Sequence, residues 1–141
     1  YYGDVESGQA FKTLADDRHE LSGPLFQDSD RLSPSEAATD TLKVVGSRSH
    51  MNAETEAFIV EMQDRYESIE IVSKGSSLKF CMVAEGKAHV YPRFAPTMEW
   101  DTAAGSAIVE AAGLKVVVRG TEQPLLYNKE NLLNPYFLVG R

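Results

Sequence analysis

The 141 residues, 43% hydrophobic and 25% charged, suffice for one ordinary globular domain with a buried core and leave little room for a second. A net charge of −7 argues against nucleic acid or an anionic membrane as the main partner, since either wants a basic face, so an anionic ligand has to be met by a local patch. No stretch approaches the about 20 apolar residues that span a bilayer, and the single cysteine, Cys81 in L-K-F-C-M-V-A, excludes an intrachain disulfide. The expectation is a soluble protein of the reducing cytoplasm, at most peripheral to the inner membrane.

The sequence opens at Tyr1-Tyr2-Gly3 rather than at a methionine and reads as the middle of a longer, truncated protein. Residues 1–14 suggest two short strands around D-V-E-S-G, with Gly3 and Gly8 as turn residues and Ala10, Phe11 and Leu14 as candidates for burial. Residues 15–41, rich in Asp, Ser and Pro, read as a loop-like boundary, with Asp16-Asp17 and D-S-D at 28–30 as solvated charge.

From Leu42 the pattern alternates. L-K-V-V-G at 42–46 and S-I-E-I-V at 68–72 predict strands; between them Asn52 is set to cap a helix whose apolar stripe is Phe58, Ile59, Met62 and Tyr66. Ser77 to Glu85 predicts a short apolar helix closed by Gly86, and Ala88 to Tyr91 a strand ended by Pro92. Thr102 to Ala112 predicts a helix with a small-residue face of Ala103, Ala104, Ala107, Ile108, Ala111 and Ala112. Lys115 to Val118 predicts a strand apolar enough to be covered on both faces, and Tyr136 to Val139 a last strand. The alternation implies an α/β fold, a layered domain with a mixed sheet of about five strands flanked by helices.

The helix at Ser77 has its charges the wrong way round. Lys79 in the first turn and Glu85 in the last both oppose the macrodipole. An anion held at the helix start would favour Lys79 there, with Ser76 and Ser77 as hydroxyl donors and Gly75 admitting a close backbone approach. The plainer reading, and the commoner one on spacing alone, is a serine cap with a lysine packing its stem. Asp101 likewise is either an N-cap or an oxygen ligand for Mg²⁺, and Trp100 beside it is more often core than ligand platform. Arg93, after Tyr91-Pro92, and His50, closing S-R-S-H, stand at strand ends, where ligands collect in α/β sheets.

Taken in order, S-R-S-H, then G-S-S-L-K-F-C-M-V-A-E-G-K-A-H-V-Y-P-R-F, then W-D-T-A-A-G and L-N-P-Y-F, the segments resemble the 3'(2'),5'-bisphosphate nucleotidases of the CysQ type, within the inositol monophosphatase superfamily. The W-D-x-A-A-G signature belongs to the whole superfamily; the longer stretch to Y-P-R-F points to the nucleotidases. The resemblance implies Mg²⁺-dependent removal of the 3'-phosphate from adenosine 3',5'-bisphosphate, a by-product of sulfate assimilation, to yield AMP. It implies Asp101 as a metal ligand near the scissile phosphate, and Ser76, Ser77, Lys79, Arg93 and His50 as nucleotide contacts. Residues 1–41 then become a hairpin remnant and linker from a missing amino-terminal half, the hairpin open to self-association, and 42–141 the substrate-binding domain. The family's other metal ligands, a glutamate pair and D-P-x-D-G-T, have no counterpart, since neither E-E nor D-P occurs here. One carboxylate does not hold two or three Mg²⁺ ions, so the chain by itself is expected to be inactive. Two other readings stay open: a phosphatase of inositol or sugar phosphates, and a non-catalytic nucleotide-binding module.

Overall fold

The computed structural model describes residues 1–21, 23–34, 40–46 and 51–140. In chain order these hold β1 (Tyr2–Asp4), β2 (Gln9–Phe11), a 3-10 turn (Asp28–Asp30), β3 (Thr41–Gly46), α1 (Ala53–Gln63) and β4 (Ser68–Ser73). Then come α2 (Leu78–Ala84), β5 (Tyr91–Arg93), α3 (Glu99–Ala111), β6 (Lys115–Val118) and β7 (Phe137–Gly140).

Strand β3 pairs in parallel with β4, Leu42 facing Ile69 and Val44 facing Ile71. Strand β7 lies between β5 and β6, antiparallel to both. A parallel bridge from Val44 to Val90 joins the two pieces, giving the order β4-β3-β5-β7-β6, a mixed sheet of five strands. The seam is made by backbone bonds from Val45 N to Val90 O and from His89 N to Lys43 O, both 2.8 Å. One side chain completes it: His89 Nδ1 accepts the Lys43 N–H at 3.0 Å.

Val44 and Val45 show how the sheet divides the core. Both are fully buried, and as consecutive strand residues they face opposite sides. Val44 joins Leu42, Phe58, Met62 and Phe94 under α1, whose first turn is capped by Asn52 accepting the Thr55 N–H at 3.0 Å. Val45 joins Phe80, Val83, Val109, Phe137 and Val139 under α2 and α3, a cluster that also takes in Ala10 and Leu32 from the amino-terminal segment. The β1–β2 hairpin packs on α3: a Cβ on Gly3 would lie 3.1 Å from Ala111 Cβ, so Gly3 serves close packing inside β1 and not a turn. The turn falls at Gly8, whose φ of 64° suits glycine.

Several sequence expectations shift. Leu14 is 72% exposed, because β2 ends at Phe11 and the chain leaves the hairpin's buried side. Pro92 sits inside β5 opposite Leu138 and does not end it, the bridge to β3 having already finished at Val90. Helix α3 begins three residues early and buries Thr102, Gly105, Ser106 and Val109, while Ala103 and Ala104 face outward. Gly105 decides that face: a Cβ there would stand 2.6 Å from Phe80 Cγ, so the helix turns its one residue without a side chain toward α2. Strand β6 is a sheet edge, which leaves Val117 and Val118 half-buried beside a buried Val116. No helix among the described residues is long and apolar enough to cross a membrane.

Candidate functional site

A cavity of about 640 Å³ opens where α2, the end of β5 and the first turns of α3 meet. Its lining includes Ser76, Ser77, Lys79, Arg93 and Asp101, five of the six candidates named from sequence. His50, the sixth, lies outside the described residues. A second space of about 890 Å³ lies beside α1, floored by Phe58, Met62, Phe94 and Leu138, and contains none of the five candidates among the described residues.

Helix α2 is only seven residues long and begins after Ser77, whose side chain makes no capping bond. Its first N–H groups are partly used: Lys79 N bonds Ser76 O at 3.4 Å and Phe80 N bonds Ser77 O at 3.0 Å. The left-handed backbone falls on Ser76, with φ of 55°, and not on Gly75, around which a Cβ would meet nothing. What the turn supplies to the cavity is therefore side chains more than free backbone donors.

Lys79 Nζ lies 5.6 Å from the centroid of the Tyr91 ring, which is itself wedged edge-on against Phe80 at 5.4 Å. Burial lowers the proton affinity of Lys79, and the nearby Arg93 guanidinium lowers it further. Arg93 donates Nη2 to Pro96 O at 3.3 Å, while its buried Nε has no partner among the described residues. Burial raises the Tyr91 phenol above its ordinary value, partly offset by the same guanidinium. Neither Lys79 nor Arg93 has an ion-pair partner among the described residues, although the protein carries 21 acidic side chains.

Asp101 is the third residue of α3 and not its N-cap. The helix starts at Glu99 behind Met98, and Asp101 Oδ2 reaches back to accept the Met98 N–H at 2.8 Å, the carboxylate half of a capping box. Beneath that turn is a polar network the sequence did not announce. Thr102 Oγ1 accepts from Asn134 Nδ2 at 3.0 Å and from Tyr127 Oη at 3.1 Å, and donates to Glu99 O at 3.1 Å. Glu99, buried, accepts the Asn128 and Lys129 N–H groups at 2.7 and 3.1 Å and pairs with the Lys129 ammonium, which holds its carboxyl below the usual range. Residues 127–129 together with Asn134 of the L-N-P-Y-F segment thus act as a buttress for the turn that presents Asp101. Trp100, expected in the core, is 67% exposed and lines the cavity; nothing in its sequence neighbours signalled this, because the start of α3 carries no ordinary capping residue.

Among the described residues no group of three or more His, Cys, Asp or Glu could hold a metal ion. Asp101 alone does not satisfy Mg²⁺, which takes six oxygen ligands in near-octahedral geometry.

The inositol monophosphatase family model matches residues 3–136. The chain is 48% identical over 97 residues to the 3'(2'),5'-bisphosphate nucleotidase CysQ of Escherichia coli (strain K12), covering 68% of this chain and 37% of that protein. It is 51% identical over 73 residues to the CysQ of Buchnera aphidicola, covering 52% of this chain and 26% of the relative. Among solved structures, CysQ from Bacteroides thetaiotaomicron superposes with a TM-score of 0.71 at 56% identity, over 79% of this chain and 41% of that one. The 2'AMP-bound SaIMPase-II superposes with a TM-score of 0.61 at 18% identity, over 82% and 42% of the two chains, a likeness of fold alone. The chain spans well under half the length of each of these relatives.

Proposed function

This chain belongs to the inositol monophosphatase family, and on that premise we propose that it is the phosphate- and nucleotide-binding portion of a phosphatase acting on adenosine 3',5'-bisphosphate. The parent would hydrolyse the 3'-phosphate to AMP, in line with the name carried by the CysQ relatives. One observation carries the reading. Two cations, Lys79 and Arg93, line one cavity without an ion-pair partner among the described residues, where the buried Arg93 Nε also has no partner; burial, and then Arg93, lower the proton affinity of Lys79. Such a pair is unfavourable by itself and becomes favourable around a phosphate, which accepts charge-assisted bonds from both.

In this reading Arg93 and Lys79 hold phosphate oxygens, Ser76 and Ser77 add hydroxyl donors, and His50, outside the described residues, is kept as a further nucleotide contact. Asp101, which lines the same cavity, is in this reading the carboxylate nearest the reacting phosphate. The Mg²⁺ dependence expected of the parent is not assigned to this chain, since among the described residues Asp101 is not joined by a group of carboxylates that could complete a cation site, and no step is routed through it. The division at residue 42 belongs to the same proposal, with 42–141 as the substrate-binding unit and a cytoplasmic setting for the whole. Calorimetric titration with adenosine 3',5'-bisphosphate at low salt tests it. Arg93→Ala is expected to weaken binding by about tenfold or more, the worth of a hydrogen bond to a charged group. No turnover is expected with added Mg²⁺. Equal affinity in the wild type and in the variant would remove the reading.

A further inference from the structure

The cavity's lining divides by chemistry. Beside the polar group already described it contains Trp100, Ala104 and Ile108, spaced by four and therefore in line along one face of α3. Trp100 is the protein's only tryptophan. It is 67% exposed, whereas the nearby Phe80, Phe94 and Phe137 are 2% exposed or less. Its ring joins none of the aromatic pairs of the described residues, and its indole N–H has no bond there. A large flat apolar surface thus stands open in the lining of a cavity whose two cations have no ion-pair partner among the described residues.

We propose that Trp100 is the stacking plate for the base of the bound nucleotide, and so the residue that distinguishes a nucleoside bisphosphate from a polyol or sugar phosphate. This rests on the phosphate-binding reading above and adds the base to it. Lys79 and Arg93 recognise phosphate whatever it is attached to; neither tells a nucleotide from an inositol phosphate. A base has a π face that stacks on indole, and a polyol has none. Trp100 immediately precedes Asp101, so the plate and the carboxylate are fixed by one helical turn, held from below by Asn134 and Lys129.

The whole chain and its Trp100→Ala and Trp100→Phe variants are titrated with adenosine 3',5'-bisphosphate and, as a base-free probe, with ribose 5-phosphate. The nucleotide is expected to quench the sole tryptophan's emission in the wild type, and ribose 5-phosphate to leave it unchanged. Trp100→Ala is expected to lose about tenfold in affinity for the nucleotide and nothing for ribose 5-phosphate, with Trp100→Phe close to wild type because a ring remains. Binding of both probes without quenching, or an equal loss for both in Trp100→Ala, overturns the proposal while leaving the phosphate site standing. Binding of neither probe overturns the phosphate site and the stacking plate together. The emission measurement uses only the wild type, so the outcome does not hang on whether the alanine variant folds.

Discussion

The two ends of α2 carry charges that both oppose its dipole, and the structure treats them in opposite ways. At the far end Glu85 accepts from Lys12 Nζ at 2.7 Å and Tyr1 Oη at 2.9 Å, with Lys87 Nζ at 3.1 Å. Burial would push this carboxyl up, but those three donors hold it below its ordinary value. At the near end Lys79 has Arg93 for a neighbour, and only an aromatic face to lie over. A misplaced charge with a partner brought from 73 residues away is structural cement; one left beside a second cation is what the proposed phosphate site would call for.

The comparison breaks most severely if the helix itself is displaced. Gly105→Ala, driving a methyl to within 2.6 Å of Phe80, is expected to cost about 1–3 kcal/mol and lower both the denaturation midpoint and nucleotide affinity, since α2 moves as a unit. Next is the satisfied end. Glu85→Gln leaves Lys12 without its anion, at an expected cost of about 1–2 kcal/mol in urea unfolding at neutral pH, while nucleotide affinity stays unchanged. Its pH signature has a fixed sign. A carboxyl whose folded pKa lies below its ordinary 4.5 stabilises the fold above that value and loses the contribution as pH falls through the folded pKa, so Glu85→Gln flattens the acid limb.

A smaller effect is expected at the unsatisfied end. Lys79→Ala removes repulsion and an opposed dipole but also the Tyr91 contact, so stability changes by no more than about 0.5 kcal/mol while nucleotide affinity falls. A loss of stability without loss of affinity would make both ends alike and dissolve the contrast. The smallest effect separates the pH windows. His89 accepts the Lys43 N–H only when Nδ1 is unprotonated, and burial, then Lys43, hold it below its ordinary 6.5 against an opposing pull from Glu70. Stability is then full above 6.5 and declines as pH falls from there toward the folded value, where the unfolded chain binds the extra proton. His89→Asn, whose amide oxygen takes the same N–H without titrating, should remove that decline and leave the Glu85 limb in place.

Local chemistry explains which features were legible. Asn52 announced α1 because a capping side chain and an apolar stripe lie within one short window, and the β-branched runs at 42–46 and 115–118 announced their strands. The start of α3 was hidden because Met98 has no oxygen to cap with, so Asp101 looked like the N-cap when it is the third residue of the helix. Ala103 and Ala104 looked like a packing face by spacing, yet Gly105 and its approach to Phe80 set the rotation of the helix, a contact across 25 residues. The cations of the cavity were nameable one by one. Their convergence, the Lys12 bond to Glu85 and the Nδ1 acceptor at the sheet seam are tertiary facts that no window reveals.

The buttress under the first turn of α3 also sets a schedule. Glu99 is satisfied by the backbone and ammonium of Lys129, made 30 residues later, and Thr102 by Asn134, 32 residues later. On a ribosome adding about 5–20 residues per second, the turn bearing Trp100 and Asp101 waits some seconds for its support. During that interval Glu99 has no ammonium to neutralise it and the exposed indole has no fixed bearing. Lys79 and Arg93 are thus made well before the segment that steadies the carboxylate lining the same cavity.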